Sequence, residues 1–446
     1  MSVGQVEAAP AAPPGGGMTG GATWRILAAL IAGLVLGALT AGTGDGWREP
    51  AVRAASTVGG MWLDALKMTV VPLIVALLVS GIVSGAGHAR AGGIARRSLI
   101  WFVCILTASA VFGALVTPVL LQLFPLPQAA AEALRAGLAS VDASATQGAV
   151  PGAAELLRSF VPSNVVTAAA DGAILGLVVF SLLFAFAISR LEETKRKLLG
   201  DFFSAVGDAL LIIIGWVLWI APLGVFALAF AVGAGAGGSA FGAVLHYVVI
   251  ISAVGIAVIA AAYVVAIGLA RFRPTAFAKA MLPPQAVAIS TQSSLASLPA
   301  MIVASNNLGV RESATDITLP MAVALFRATG PAMNIAVAIY VAHWLGIELT
   351  PTAIIAGILV AATTTYGAVS LPGQLSFISS IAPIALAMGL PIAPLAILVA
   401  VETIPDIFRT LGNVTMDVAV GGAVARGDAG AEGVAAESGG GSAAAP

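Results

Sequence analysis

Charge is what this chain has least of. Across 446 residues there are 20 Lys and Arg and 21 Asp and Glu, 9% in all, where a soluble domain carries about 25%. So few charges cannot cover a water-facing surface. The net charge of −1 lacks the clustered Lys and Arg of a nucleic-acid footprint, which excludes nucleic acid as a partner. Cysteine is nearly absent too: Cys104 stands alone in an apolar run, which rules out an internal disulfide framework and reads as a small core residue. His88, His246 and His343 are the three histidines, and none belongs to an H-E-x-x-H motif or a His/Cys metal cluster. A P-loop Lys is missing, and the Gly runs at 57–60 and 232–238 lack the strand-to-helix setting of a dinucleotide site. "NVT" at 413–415 matches a glycosylation sequon but lies inside an apolar span. The first 22 residues have neither the basic nor the apolar region of a signal peptide. They read as a disordered Pro/Gly/Ala tail, as does the stretch 423–446.

What remains is apolar: 59% of residues are hydrophobic and the mean hydropathy is +1.03. The runs are long rather than short and alternating, which indicates an all-α integral membrane protein. Spans are expected at about 24–42, 60–85, 97–124, 171–190, 200–232, 239–270, 316–346 and 391–421, with Pro222 interrupting the fifth. Two more apolar stretches, 275–307 and 350–388, are broken by "LPPQAVAISTQSSLASLPAM" and "TTTYGAVSLPGQLSF". The basic segments "GHARAGGIARR", "ETKRK" and "ARFRPTAFAK" follow alternate spans and read as cytoplasmic. Both termini then lie in the cytoplasm if each broken stretch enters and leaves on one side, as a re-entrant hairpin. Non-helical backbone at membrane depth survives only when buried in protein or lining a wet cavity. Two such stretches point to a substrate site at the midplane.

The charges are concentrated beside them. "VETIPDIFRTLGNVTMDVAV", 401–420, follows a run from 349 to 401 with no Asp, Glu, Lys or Arg. On one helix, Glu402, Asp406, Arg409, Asn413 and Asp417 fall within an arc of roughly 80°. A charge at bilayer depth costs about 3 kcal/mol, so four unpaired ones would cost on the order of 10 kcal/mol, the stability of a whole fold. They must face the interior and be paired. One reading is a mutual salt-bridge network; another is a binding face for a small charged solute and its coupling ions. Arg409 offers a fork for a carboxylate, Asp406 can receive an ammonium, and Asn413 and Asp417 offer oxygens to a cation or proton. Such a set suits an acidic amino acid.

"DIFRTLGNVTMD" resembles the eighth-helix pattern D-x-x-R-T-x-x-N-x-x-x-D of the glutamate transporter family, the dicarboxylate/amino-acid:cation symporters. "STQSSLASLPAM" is similar to the Ser-rich tip of that family's first hairpin, "SLPG" to part of the second, and "FVPSN" to the entry of the fourth helix. The resemblance covers nearly the whole chain. It implies eight transmembrane helices plus two re-entrant hairpins in an elevator fold, assembled as a homotrimer in the inner membrane. Residues 23–270 would supply helices one to six, with helices three and six joining the moving body, and 271–422 the transport core. It also implies roles. Arg409 would hold the substrate's side-chain carboxylate and Asp406 its amino group. Thr410 and Asn413 would contact the amino group or α-carboxylate, and backbone near Ser293 and Ser294 would complete the cradle. Asn413 and Asp417 would be sodium ligands. No cofactor is implied beyond Na+ or H+ as coupling ion, and the chain is not expected to be an enzyme.

The departures matter as much. Counted without gaps, the family's N-M-D-G-T signature falls on "FRATG", 326–330, so its Asn and Asp become Phe326 and Ala328 and an Arg enters. A family Tyr, Thr and Ser of the third helix fall on Cys104, Thr107 and Ala108, and Gln374 and Leu375 stand where the second hairpin has glycines. Three readings of Arg327 stay open: a surrogate for a lost sodium ion, pairing with Asp417 or Glu402; a ligand for a second substrate carboxylate; or a structural cation. Glu402 would carry a proton or neutralise Arg327. A C4-dicarboxylate carrier, an anion channel, an intramembrane enzyme using Asp406 and Glu402, and a sensor that no longer transports are the rival functions.

Overall fold

The computed structural model describes residues 20–40, 45–90, 93–127, 131–132, 161–171, 173–236, 239–367 and 373–439. Among the described residues there are helices and no strand. In chain order they are α1 (Gly20–Thr40), α2 (Asp45–Arg90), α3 (Gly93–Leu123), α4 (Val165–Ala170), α5 (Ile174–Ser189), α6 (Glu193–Trp219), α7 (Ala221–Ala236) and α8 (Ser239–Gly268). The second half holds α9 (Pro274–Thr291), α10 (Ser294–Asn307), α11 (Glu312–Leu325), α12 (Thr329–Leu345), α13 (Pro351–Thr364), α14 (Gly373–Ala387), α15 (Leu395–Leu398) and α16 (Thr403–Gly439).

Five stretches among the described residues are long and apolar enough to cross a bilayer: Gly46–Ser84, Gly93–Leu123, Glu193–Trp219, Phe241–Gly268 and Glu312–Leu345. Another apolar helix, α7, is short because proline divides it from α6. The break at Ile220 separates α6 from α7, where Pro222 lacks the N–H that would bond back to Leu218. The α9–α10 pair packs on itself across 274–307, and α13–α14 packs on itself on either side of 368–372, so both broken stretches double back. The second tip, "SLPG", lies largely outside the described residues, as do most of the first tail and most of the polar insertion. "FVPSN" ends in Asn164, whose side chain caps α4 by accepting from the amides of Val166 and Thr167 at 2.8 and 3.2 Å.

The backbone from 423, read as a disordered tail, continues α16 as far as Gly439. This stretch is rich in Ala, the best helix former, and extending a helix already nucleated costs little.

Packing follows the small residues. α1 lies along α7, and α2 lies against α5, α6 and α7. α8 lies along α16, which α9, α10 and α11 also touch, while α3 meets α11, α12, α13 and α16. Gly113 is where α3 and α12 come closest: a Cβ there would stand 2.6 Å from the Ala332 Cα. Backbones approach this closely in membranes only where the side chain is absent.

Candidate functional site

Two helix breaks face each other. Between α11 and α12, Phe326 is extended (φ −115°, ψ 94°). Pro331 explains it: with no N–H, it cannot bond to the Arg327 carbonyl, and a continuous helix through 327–331 is blocked. The unwound groups find other partners, as buried backbone must. The Ala328 carbonyl accepts from the Ser109 hydroxyl, the Arg327 carbonyl accepts from the Gly330 amide at 2.9 Å, and the Thr329 amide donates to Asn413 Oδ1 at 2.9 Å. Phe326 itself stacks on Phe102 of α3, ring centroids 4.5 Å apart. The second break, 399–402, precedes Pro405 for the same reason, and leaves Glu402 just ahead of α16 with its carbonyl accepting from the Asp406 amide at 2.9 Å.

Arg409 sits at the centre. Its guanidinium donates to Glu402 Oε1 and to Asn334 Oδ1 (2.6 Å), and its Nε lies 3.3 Å from Asp406 Oδ1. Glu402 is 1% exposed and also accepts from the Tyr247 hydroxyl at 3.1 Å. Asp406, Thr410 and Asn413 are buried as well. Of the two acids expected to pair with Arg327, Glu402 is therefore engaged by Arg409. The Asn413 side-chain oxygen is engaged too: it accepts from the Thr329 amide at 2.9 Å and lies 2.6 Å from the Thr329 hydroxyl, whose one proton goes either to it or to the Arg409 carbonyl. The same hydroxyl also lies 2.8 Å from the Arg409 carbonyl.

Asp417, one turn on, is different. It is 0% exposed, and among the described residues neither carboxylate oxygen has a hydrogen-bond partner. The charge it senses is that of Arg327, which in turn lies in the field of Asp406, Asp417 and Arg409. No ion pair joins Arg327 to Asp417 among the described residues. The test for a coupling cation thus divides its expected ligands: both Asp417 oxygens have acceptors to give, whereas the Asn413 oxygen already takes the Thr329 amide.

Arg327 and Arg409 share a cavity of about 20 Å3 with Gly330, Asn334, Thr365, Phe377, Ser380 and Asn413. That is room for one water and not for an amino acid. The first hairpin reaches the same helix. Gln292, left-handed at the tip (φ 50°), donates from its side chain to the Thr403 carbonyl at 3.3 Å. Ser293 caps α10 by accepting from the Ala296 amide at 3.2 Å, and Ser294 is buried beside it. Their hydrogen bonds lie within the tip and do not reach Arg409.

The profile described as the Sodium:dicarboxylate symporter family matches residues 22–427. The chain belongs to that family. It is a family of transporters, and this chain is a membrane transporter and not an enzyme. Three relatives are similar over nearly their whole length. The proton/glutamate-aspartate symporter of Escherichia coli (strain K12) is 29% identical over 403 residues, 88% of this chain and 89% of that protein. The proton/sodium-glutamate symport protein of Bacillus subtilis (strain 168) is 26% identical over 410 residues, 89% of this chain and 90% of that protein. The C4-dicarboxylate transport protein of Laribacter hongkongensis (strain HLHK9) is 26% identical over 397 residues, 87% of this chain and 86% of that protein.

In this symporter the site includes three residues that sequence reasoning missed: Tyr247, Thr329 and Asn334. A polar group inside an otherwise apolar span was their available signal, and Asn334 in "PAMNIAVAIYVAHWL" carries it most clearly.

Proposed function

We propose that this symporter carries an acidic amino acid of the aspartate or glutamate type across the inner membrane, with sodium coupling reduced in favour of protons or exchange. The observation that carries the reading is the Arg409 guanidinium, held from separate elements by Glu402, Asp406 and Asn334 beside an unwound stretch. A guanidinium fixed this way offers a carboxylate a rigid bidentate partner, and Asp406 offers the ammonium its counter-charge. Thr410 and Asn413 lie along the same helix for the remaining polar groups, and Ser293 and Ser294 cap the cradle from the hairpin. Arg327 takes the place of a sodium ion near Asp417, and Glu402 is the proton carrier. Relatives described as proton and as proton/sodium symporters show that the coupling ion varies among similar chains.

Transport follows an elevator path. The two hairpins move with α11, α12 and α16, together with α3 and α8, against a scaffold of α1, α2, α5, α6 and α7, in a homotrimer with both termini cytoplasmic. The packing of α8 on α16 and of α1 on α7 supports this division. A site with room for one water must widen to load substrate, which α13 and α14 can provide by withdrawing Phe377 and Ser380.

A C4-dicarboxylate is the second reading, because Arg327 and Arg409 line one cavity to which, among the described residues, no carboxylate side chain contributes, and one relative bears that description. The test is uptake of labelled L-aspartate or succinate into proteoliposomes under a sodium gradient, a proton gradient or none, with wild type and Arg409→Ala. Aspartate uptake that needs Arg409 and is driven by protons, or exchange without a gradient, is expected. Sodium-driven accumulation sinks the coupling assignment. Succinate in preference to aspartate sinks the substrate.

A further inference from the structure

Far along α16 from Arg409, four arginines converge on one hollow. The segment "RFRP" at 271–274 joins α8 to α9. α8 closes with the Ala270 amide donating to the Val265 carbonyl (3.1 Å) and the Phe272 amide to the Ala266 carbonyl (2.9 Å), which puts Arg271 in the left-handed region (φ 53°). A non-glycine there costs roughly 1 kcal/mol, and glycine would relieve it. The Phe272 ring stacks on Phe277 and lies over Gly422 of α16, where a Cβ would come within 2.6 Å of its edge. This anchors the segment, with Arg271 before Phe272 and Arg273 after it. Arg426 follows Gly422 by one turn, and Arg311 arrives from the α10–α11 link, whose turn at Gly309 (φ 77°) only glycine adopts readily.

Together these residues line a cavity of about 570 Å3 with Asn307 and an apolar floor of Phe272, Leu308, Val310 and Ala425, and among the described residues no Asp or Glu lines it. The carbonyls at the end of α10 are already engaged: those of Ala304, Ser305 and Asn306 accept from Leu308, Val310 and Gly309. The hollow lies beside the end of the apolar helix Phe241–Gly268, which is long enough to cross a bilayer.

We propose that this hollow is a binding site for a phosphate oxyanion, and specifically for the headgroup of an anionic phospholipid. Guanidinium forks match phosphate oxygens in pairs, and basic pockets between membrane helices suit anionic headgroups. The cavity exceeds the size of free phosphate, and its apolar floor fits the glycerol end of a lipid. An occupant joins the α8–α9 link, the α10–α11 link and α16, and so clamps that end of the transport core.

The test uses the full-length protein in neutral detergent. Its melting temperature is followed on adding phosphatidylglycerol, phosphatidylcholine, or inorganic phosphate against chloride at equal ionic strength. Phosphatidylglycerol alone is expected to raise Tm by about 3 °C or more, and Arg273→Gln/Arg426→Gln, both exposed in the wild type, should abolish the rise while leaving Tm in phosphatidylcholine unchanged. An equal rise with inorganic phosphate keeps the oxyanion site and overturns the lipid assignment. No rise with either anion, or a rise that survives in the variant, overturns the site. Should that variant not fold, native mass spectrometry of Arg273→Lys/Arg426→Lys, which keeps charge but loses the forks, must show weaker retention of phosphatidylglycerol than wild type.

Discussion

Replacing Arg327 by Met asks whether a fixed guanidinium has taken over from an ion. Met keeps an apolar stem of similar length and removes the charge. Asp417 is 0% exposed with both oxygens unpartnered among the described residues, and Arg327 is the charge acting on it. Removing one partner of a buried pair strands the other, at about 3–5 kcal/mol. The lower end applies here, because no direct ion pair joins the two among the described residues. Asp417→Asn alone should cost less, since Arg327 still has Asp406 in its field. The double variant Arg327→Met/Asp417→Asn leaves neither charge stranded, so the cycle should close with a coupling of about 2 kcal/mol. Sodium provides the second readout. If Arg327→Met opens a site at Asp417, sodium at a hundred times its Kd restores about 2.7 kcal/mol. The assay is thermal unfolding of purified protein in sodium or choline chloride at equal ionic strength. Wild type should be indifferent to the cation and Arg327→Met should not. A wild type stabilised by sodium as strongly as the variant, or a coupling near zero, refutes the reasoning.

Three further outcomes follow from the same geometry. Tyr247→Phe removes a hydrogen bond to a buried carboxylate and should cost about 1.5–3 kcal/mol in SDS unfolding, the range for bonds to charged groups. Thr329→Val deletes a hydroxyl shared between the Asn413 side-chain oxygen and the Arg409 carbonyl; the expected loss is about 1 kcal/mol, read as a lower Tm. Gly113→Ala drives a Cβ onto the Ala332 backbone, and separating α3 from α12 should lower stability by about 1–3 kcal/mol, measurable as a Tm shift without change in substrate preference.

The charged face of α16 is legible in the sequence because the rule behind it is energetic and local: four charges in an apolar run must be paired, and their helical spacing says on which side. The two doubled-back stretches are legible for a similar reason, since proline and serine at membrane depth leave backbone groups that only protein can satisfy. The break before Pro331 is harder to see. A proline is tolerated in the first turn of a helix, so the same residue marks either a start or a fault, and 316–346 reads as one span. Tyr247, Thr329 and Asn334 are hidden by a different limit. Each stands in a helix apolar almost all round, and periodicity cannot tell which of its neighbours such a helix faces.

The cation ligands show where a motif stops being evidence about chemistry. Asn413 and Asp417 both persist in the eighth-helix pattern, which on its own makes sodium ligands of the two together. A pattern records the residue, whereas binding depends on whether its lone pairs are free. The unwound stretch meets α16 through Thr329, whose amide donates to the Asn413 oxygen and whose hydroxyl, with one proton, has that oxygen and the Arg409 carbonyl both in reach. Asp417 keeps both of its oxygens unpartnered among the described residues and has Arg327 for its field. Two residues equally faithful to the pattern thus stand in different surroundings, and for Asn413 the cause lies far earlier in the chain, in the stretch 326–330. Sodium dependence in this symporter should therefore respond to substitutions in "FRATG" more than to substitutions in "DIFRTLGNVTMD". Exchanging "FRATG" for "NMDGT" in a single variant, and comparing its sodium-driven aspartate uptake with wild type, puts that ordering to the test: a gain of sodium drive upholds it, and an unchanged ion dependence overturns it.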